Sequence, residues 1–228
     1  PLSILSILVP ENASAGAHLP KCSIILVLHL LDFLHTCCSL DDVEDARSVA
    51  YRLGMPYYVF NFSDDFREKV IDRFAAQYCM GMTPNPCIDC NRCMKFAKLF
   101  DRADILRCSY IATGHYARIE RRGGKYLLKK ALDTAKDQSY VLYAMTQAQL
   151  ARTLFPLGEL SKSETRQLAE RGGFINAQKP DSQDICFAPD GDYAKIIELH
   201  TGRKSEPGDF VDAAGHVLGR HAGVIRYT

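Results

Sequence analysis

Residues 39–62, SLDDVEDARSVAYRLGMPYYVFNF, predict a helix followed directly by a strand. Ser39 is a favourable N-cap, and Gly54 with Pro56 is a favourable helix end. Residues 57–62 are aromatic and branched, which is typical of a buried strand. One face of the helix is apolar and consists of Val43, Ala46, Val49, Ala50 and Leu53. The stretch therefore predicts one helix and one strand of a layered fold.

The alternation of helix and strand continues on the carboxyl side of this stretch. Asp65 and Glu68 form a capping pair for a second helix, and residues 110–113 predict a short strand. Strands that alternate with helices indicate a parallel α/β sheet, where ligands bind beyond the carboxyl ends of the strands. We therefore expect Gly114 and His115 to lie at a ligand-binding edge.

The composition is that of a globular protein in a reducing compartment. Of 228 residues, 47% are hydrophobic and 24% charged, and 28 basic side chains balance 27 acidic ones. Neither disorder nor a whole-protein field for nucleic acid or membranes is indicated. The nine cysteines are clustered, unlike those of a small secreted scaffold. The longest apolar run, residues 22–34, is shorter than the roughly 20 residues that span a bilayer, so we expect no membrane anchor. We expect a cytoplasmic protein, with the mitochondrion and the plastid as open alternatives.

The densest group of reactive side chains lies in residues 83–93, TPNPCIDCNRC. Two prolines restrict the backbone, which predicts a stiff loop that presents thiols. Cys87, Cys90 and Cys93 stand three residues apart, a spacing that also suits half of a zinc or iron–sulfur ligand set. The spacing alone leaves metal binding and nucleophilic or redox chemistry equally open, with burial the weaker alternative because a polar loop is rarely core.

Two further features are weak by themselves. Cys186, in residues 181–187 (DSQDICF), is a packed apolar residue on spacing alone. Residues 118–136 carry seven basic side chains against two acidic ones, with a Gly-Gly pair that predicts a hairpin tip. A solvated hairpin and a phosphate-binding surface both fit this charge, and Tyr126 and Tyr140 add a weak potential for stacking. The chain contains no GxxxxGKS/T, GxGxxG, GxSxG or HExxH motif.

Six strings stand in one order along the chain, namely TCCSLDDVEDA, TPNPCIDCN, IATGHYA, KDQSYVLY, LFPLGEL and DSQDICF. In this order they resemble the tRNA 2-thiouridylases, the MnmA family, over residues 36–228. The resemblance implies an α/β fold of the N-type ATP pyrophosphatase (HUP) type, with a Rossmann-like parallel sheet and the start of a smaller β-containing domain. It also implies an enzyme that uses ATP and Mg²⁺ to activate C2 of the wobble uridine of tRNA and then replaces the oxygen there with sulfur.

The resemblance implies roles for single residues as well. Cys90 matches the family's nucleophile, and Cys186 matches the cysteine that takes sulfur as a persulfide from a donor protein. Attack of Cys90 on that persulfide would release the sulfur and join the two cysteines in a disulfide. Gly114 matches a nucleotide-contacting glycine. The remaining matches are the target-base segment Asn85, Pro86 and Cys87 and the tRNA-contacting stretch Lys136, Asp137 and Gln138.

The chain departs from the family before residue 36. Residues 1–35 contain no counterpart of the family's SGGVDS phosphate loop, and we expect them to be a divergent or non-native segment. Residues 36–203 are expected to form an incomplete catalytic domain, and residues 204–228 the start of a central domain. We therefore expect a truncated, monomeric 2-thiouridylase with impaired activity. Two alternatives stay open, an iron–sulfur protein that uses Cys87, Cys90 and Cys93 with Cys186, and a non-catalytic tRNA-binding remnant.

Overall fold

The computed structural model describes residues 5–9, 24–29, 40–174, 176–179, 185–188 and 190–227. The strands in this part are β1 (Leu5–Val9), β2 (Ile24–His29), β3 (Tyr57–Asn61), β4 (Tyr110–Thr113), β5 (Ala117–Arg122), β6 (Lys125–Lys130), β7 (Thr153–Leu154), β8 (Gly208–Val211) and β9 (Val217–His221). The α-helices are α1 (Leu40–Leu53), α2 (Ser63–Phe66), α3 (Asp72–Cys79), α4 (Pro86–Asp89), α5 (Ala97–Ile105), α6 (Gln147–Ala151), α7 (Lys162–Arg171) and α8 (Tyr193–Thr201). Two π-helical segments (Arg67–Ile71 and Cys90–Phe96) and two 3₁₀ helices (Ser139–Leu142 and Val224–Arg226) complete the elements.

A five-stranded sheet in the order β3-β2-β1-β4-β7 organises the fold. β2 pairs with β3, and β4 with β7, in parallel, whereas β1 is antiparallel to both of its neighbours. The α/β class is therefore confirmed, but the prediction of a parallel sheet is wrong at β1. Antiparallel pairing satisfies the backbone of a short aliphatic strand without the helical crossover that a parallel neighbour requires.

Helix α1 and strand β3 follow one another as the sequence predicts. The helix ends at Leu53, and Gly54 then adopts a left-handed φ of +63°, which glycine enters without steric cost. The predicted cap Ser39 lies outside the described residues. The prediction that residues 57–62 form a buried strand is wrong for β3, since Tyr58 and Val59 are exposed. β3 is the edge strand of the sheet, and among the described residues no strand pairs with its outer side.

The second predicted helix is present, but it is capped differently. Helix α2 begins at Ser63, whose backbone N–H donates to Asn61 Oδ1 at 2.9 Å. Asp65 lies inside the helix and instead accepts from Lys69 at 2.6 Å and pairs with Lys98 at 2.7 Å. The predicted capping pair of Asp65 and Glu68 is therefore wrong.

The predicted hairpin at the Gly-Gly pair is present, and the structure contains a second one nearer the carboxyl end. β5 and β6 pair antiparallel around Gly123 and Gly124, whose φ values of +55° and +78° are those of a tight turn that glycine favours. β8 and β9 form the second hairpin, and its assignment to the start of another domain stays a prediction. Within the part of the chain that the structure describes, no helix has the length and apolar character needed to cross a membrane.

The main core lies between the helices that follow β3 and the chain around residue 187. Its fully buried side chains include Phe66, Phe74, Met94, Leu99, Ile111 and Phe187. A smaller second cluster of Phe96, Ala117, Val141 and Leu142 joins the base of the β5–β6 hairpin to the segment that follows α4. The helical segment 86–96 therefore lies between two apolar clusters, one on each side.

Candidate active site

The cysteine-rich segment is helical from Pro86 onward, so the prediction of a stiff loop is wrong there. Asn85 is the N-cap, and its Oδ1 accepts a hydrogen bond from the backbone N–H of Cys87 at 3.0 Å. Pro86 occupies the first helical position, where a missing N–H costs nothing and the fixed φ suits the helix. The same proline that suggests a loop thus starts a helix.

The helix turns its cysteines toward different surroundings. Cys90 is only 8% exposed and belongs to the main core, beside Met94. Cys87 is half-buried against the second cluster, and its carbonyl accepts from Asn91 Nδ2 at 2.9 Å. The expectation that these thiols avoid the core therefore fails for Cys90, because the helix rather than a loop presents it.

Cys93 lies in a charged environment on the same helix. It is half-buried, and its side chain hydrogen-bonds the guanidinium of Arg92, which is the first cause of the raised pKa of Arg92. Asp89 also pairs with Arg92 at 2.7 Å. Cys93 therefore meets a cation where Cys90 meets apolar side chains.

Cys186 packs on the same core cluster as Cys90. It is half-buried and precedes Phe187, whose ring meets Phe66 and Phe74 edge-on at centroid distances of 6.0 and 5.2 Å. Phe187 thus anchors the short described segment 185–188 on the core. The two predicted working cysteines therefore share one core, since Cys90 belongs to it and Cys186 packs against it.

The described cysteines do not form a metal site. No group of three or more His, Cys, Asp or Glu side chains in the described ranges is placed to hold a metal ion. Cys87, Cys90 and Cys93 are all among these residues, and the first two face opposite apolar clusters. The geometry gives the iron–sulfur alternative no support.

Gly114 and His115 follow the carboxyl end of β4, as predicted. His115 is 1% exposed, its Nδ1 is 2.8 Å from Thr113 Oγ1, and its ring lies 5.9 Å from that of Phe96. Burial, and secondarily the charge of Lys95, hold the pKa of His115 well below 6.5. The imidazole is therefore neutral at physiological pH and acts as a fixed polar group beside the half-buried Gly114.

The strand beside this edge runs in the opposite direction from β4. Ser6, near the beginning of β1, pairs with Thr113, whereas Val9 at the end of β1 pairs with Tyr110. The end of β1 therefore lies at the edge of the sheet opposite to Gly114. A phosphate-binding loop that follows the first strand at this edge needs a parallel β1.

The predicted tRNA-contacting stretch divides into internal and exposed side chains. Asp137 Oδ1 accepts from the backbone N–H of Ala131 at 2.8 Å, and Gln138 Oε1 accepts from that of Tyr116 at 3.0 Å. These two residues hold the base of the β5–β6 hairpin. Lys136 is exposed.

The basic hairpin itself is partly neutralised. Glu120 pairs with both Arg122 and Lys129, whereas Arg121 lies over the ring of Tyr126 at 5.9 Å. The two hydrogen bonds lower the pKa of Glu120, that from Lys129 most. Lys125 at the tip and Lys130 at the end of β6 are exposed, so a positive surface remains.

Comparison with known proteins agrees with this arrangement. The family described as tRNA methyl transferase HUP domain matches residues 23–190. The chain belongs to this family. The match to the HUP domain family includes Cys90, Cys186 and the basic hairpin, but it begins after β1.

Three curated relatives of the chain are all named tRNA-specific 2-thiouridylase. The chain is 52% identical to the tRNA-specific 2-thiouridylase MnmA of Lachnoclostridium phytofermentans over 193 residues, which are 84% of this chain and 54% of the relative. It is 53% identical to MnmA 1 of Thermoanaerobacter sp. strain X514 and 50% identical to MnmA of Clostridioides difficile, each over 84% of this chain and 53% and 54% of the relative. The chain spans about half the length of these relatives.

One contact near the site was missed from the sequence. Lys179 Nζ donates to Asp42 at 2.6 Å and to Asp45 at 2.7 Å, and so ties the chain ahead of Cys186 to α1. Burial opposes the charge, but the two carboxylates outweigh it and raise the pKa of Lys179. The spacing of Asp42 and Asp45 places both carboxylates on one helix face, a pattern that indicates a bound cation. The sequence did not reveal which cation, because Lys179 lies 134 or more residues away.

Proposed function

We propose that this chain performs the sulfur-carrying and tRNA-binding steps of a tRNA 2-thiouridylase, with the nucleotide-dependent step impaired. The observation that carries the proposal is that Cys90 belongs to the main core cluster and that Cys186 packs against the same cluster. The names of relatives about 50% identical, all tRNA-specific 2-thiouridylases, give the substrate and the reaction. The family description names methyl transfer, but two cysteines in one cluster favour sulfur chemistry.

The sulfur would move through two thiols. Cys186, the more accessible of the two, attacks the outer sulfur of a donor protein's persulfide, gains that sulfur and releases the donor's thiolate. The thiolate of Cys90 then attacks the inner sulfur of the Cys186 persulfide. The sulfur is released as hydrosulfide, the form that can serve thiolation of the wobble uridine, and a disulfide joins the two cysteines. Two electrons from a thiol reductant restore both thiols.

The arrangement gives each thiol a separate task. Cys90 is 8% exposed inside a packed core, so water and stray oxidants reach it poorly. Cys186 is half-buried at the edge of the same core, where a donor protein can reach it. A buried attacking thiol and an accessible accepting thiol suit a persulfide relay in which only the acceptor meets the donor.

The tRNA would bind on the basic hairpin and the helix start beside it. Lys125 and Lys130 give β5–β6 an exposed positive surface that suits the phosphate backbone. Asp137 and Gln138 support this surface from within, so their role is positioning. The side chain of Asn85 caps the helix. We therefore expect Pro86 and Cys87, rather than Asn85, to contact the target base. We propose a monomer that acts in the cytoplasm.

ATP suits the HUP domain family, but the described residues do not offer its phosphates the cradle that the resemblance implies. Gly114 stands at the expected edge, but the neighbouring β1 offers that edge its beginning rather than its end. A phosphate-binding loop would follow the carboxyl end of the first strand and bind phosphates with its backbone amides. In this chain the carboxyl end of β1 lies at the opposite edge of the sheet from Gly114.

A persulfide assay tests the proposal directly. The reduced chain is treated with inorganic polysulfide, and its peptides are mapped by mass spectrometry over time. We expect a persulfide on Cys186 that decays as a disulfide between Cys90 and Cys186 appears, whereas Cys90→Ser keeps the persulfide. Cys79→Ser, which removes an exposed thiol on α3, should behave like the unmodified chain. Equal decay in Cys90→Ser, with no disulfide in the unmodified chain, would refute the relay.

A further inference from the structure

Two exposed tyrosines stand on the 3₁₀ helix Ser139–Leu142 and its last turn. Tyr140 is 61% exposed and Tyr143 is 67% exposed. Between them, Val141 and Leu142 are 6% and 1% exposed and belong to the second apolar cluster. Val141 and Leu142 thus hold the helix to the protein. The tyrosines that precede and follow them in the sequence expose their rings to solvent.

The spacing places both rings on one side of the helix. Residues three apart eclipse each other in a 3₁₀ helix, and Tyr143 continues the helical backbone with φ −58° and ψ −23°. The rise of about 2.0 Å per residue separates the two residues by about 6 Å along the axis, close to twice the ~3.4 Å spacing of stacked bases. Neither side chain makes a hydrogen bond or ring contact to another described residue.

The surroundings of the two rings are basic and close to the cysteine helix. The 3₁₀ helix contacts α4, which begins with Pro86 and Cys87, and it also contacts the basic strand β6. Lys136, three residues before the helix, is exposed. The side chains of Asp137 and Gln138 are turned inward to hold the hairpin base. The outward face of this segment is therefore aromatic and cationic.

We infer that Tyr140 and Tyr143 form a stacking platform for unpaired bases of the tRNA anticodon loop. The inference rests on the proposed function and names the part of the RNA that this surface takes. Proteins recognise single-stranded RNA by stacking its bases on aromatic rings, and recognise duplex RNA mainly through phosphates and sugars. The hairpin lysines then hold the backbone while the tyrosines hold the bases next to the target-base segment.

Tyr126, the other tyrosine that the sequence offers for stacking, does not join this platform. It is half-buried, and the guanidinium of Arg121 covers one face of its ring at 5.9 Å. The platform therefore combines Tyr140 with Tyr143 and does not include Tyr126.

RNA binding at several salt concentrations tests the platform. The ligand is an anticodon stem–loop RNA, with a blunt RNA duplex of equal length for comparison. We expect Tyr140→Ala and Tyr143→Ala each to weaken stem–loop binding about tenfold, within the range typical of one stacked base. The dependence of affinity on salt should stay unchanged, because stacking releases no counterions. Duplex binding should not change.

Three controls make the result specific. Tyr140→Phe and Tyr143→Phe keep the ring and should keep the affinity. Tyr51→Ala removes an 89% exposed tyrosine on α1, which contacts β2 and β3, and should have no effect. Lys125→Ala removes a hairpin-tip charge and should reduce the salt slope by about one.

The outcomes separate this inference from the proposed function. If the unmodified chain binds the stem–loop and both alanine variants bind it equally well, the platform is wrong while tRNA binding stands. If the alanine variants lose stem–loop and duplex binding alike, the tyrosines do not read unpaired bases. If the unmodified chain binds neither RNA, the proposed function fails together with the platform.

Discussion

The two sides of β4 differ in how closely they follow the family. On the cysteine side, which we define as residues 83–96 and 185–188, the chain lies within the family match and packs into a common core. On the nucleotide side, which we define as β1 with the carboxyl end of β4, the strand beside Thr113 lies outside the match and runs the opposite way. The cysteine side thus lies within the family's sequence pattern, whereas the strand beside the end of β4 lies outside it.

The largest effect is expected from removal of the thiol that accepts sulfur on the cysteine side. Cys186→Ser should abolish the persulfide that forms on the segment 185–188, because no other sulfur is present there. Peptide mapping after polysulfide treatment measures this loss. A persulfide of unchanged yield on the same cluster, for example on Cys90, would show that the two thiols are not divided into acceptor and attacker.

The packing that holds the acceptor thiol should contribute several kilocalories per mole. Phe187→Ala removes a ring that is 1% exposed and meets Phe66 and Phe74, and loss of such a buried ring costs about 3–5 kcal/mol. Urea unfolding measures the change. A loss below about 1 kcal/mol would mean that the segment carrying Cys186 is not anchored on the core. It would contradict the packing of residues 83–96 and 185–188 into one core.

A smaller change separates the structural role of Asn85 from a role in base recognition. Asn85→Ala removes the acceptor that caps α4 and should lower the free energy of unfolding by about 1 kcal/mol. Asn85→Asp keeps an acceptor and should keep the stability. If both variants unfold like the unmodified chain, the cap contributes nothing to the helix that presents Cys90.

The smallest effect concerns the end of β4, where both sides meet. Because burial holds the pKa of His115 well below 6.5 in the folded state, the unfolded chain binds the extra proton as pH falls below about 6.5. The contribution of the neutral His115 to the free energy of unfolding should therefore be fully present above that pH and decline below it. His115→Gln should flatten this part of the profile, measured as the difference in urea midpoints between the two proteins. Parallel profiles would contradict a neutral, buried His115.

What the sequence predicts well is set by local rules. Helix α1 with Gly54 at its end, the turn at Gly123 and Gly124, and β4 all follow from short-range preferences of named residues. The capping boxes at Thr146 with Gln149 and at Ser161 with Glu164 rest on the same kind of short-range preference.

The errors arise where distant parts of the chain decide. The direction of β1 depends on which strands it pairs with, and the exposure of β3 depends on its place at the sheet edge. Pro86 was compatible with a loop or a first helical turn, and the apolar clusters on both sides select the helix. The grouping of Cys186 with Cys90 follows from resemblance, since nothing in the local spacing joins positions about a hundred residues apart.

The most direct test of the difference between the two sides is ATP binding. Equilibrium dialysis with labelled ATP would compare this chain with a chimera in which residues 1–22, which precede the family match, are replaced by the amino-terminal segment of the Lachnoclostridium relative. We expect saturable binding by the chimera and none by the unmodified chain at the same concentrations. Equal affinity in the two proteins would contradict the account, and so would a folded chimera that fails to bind.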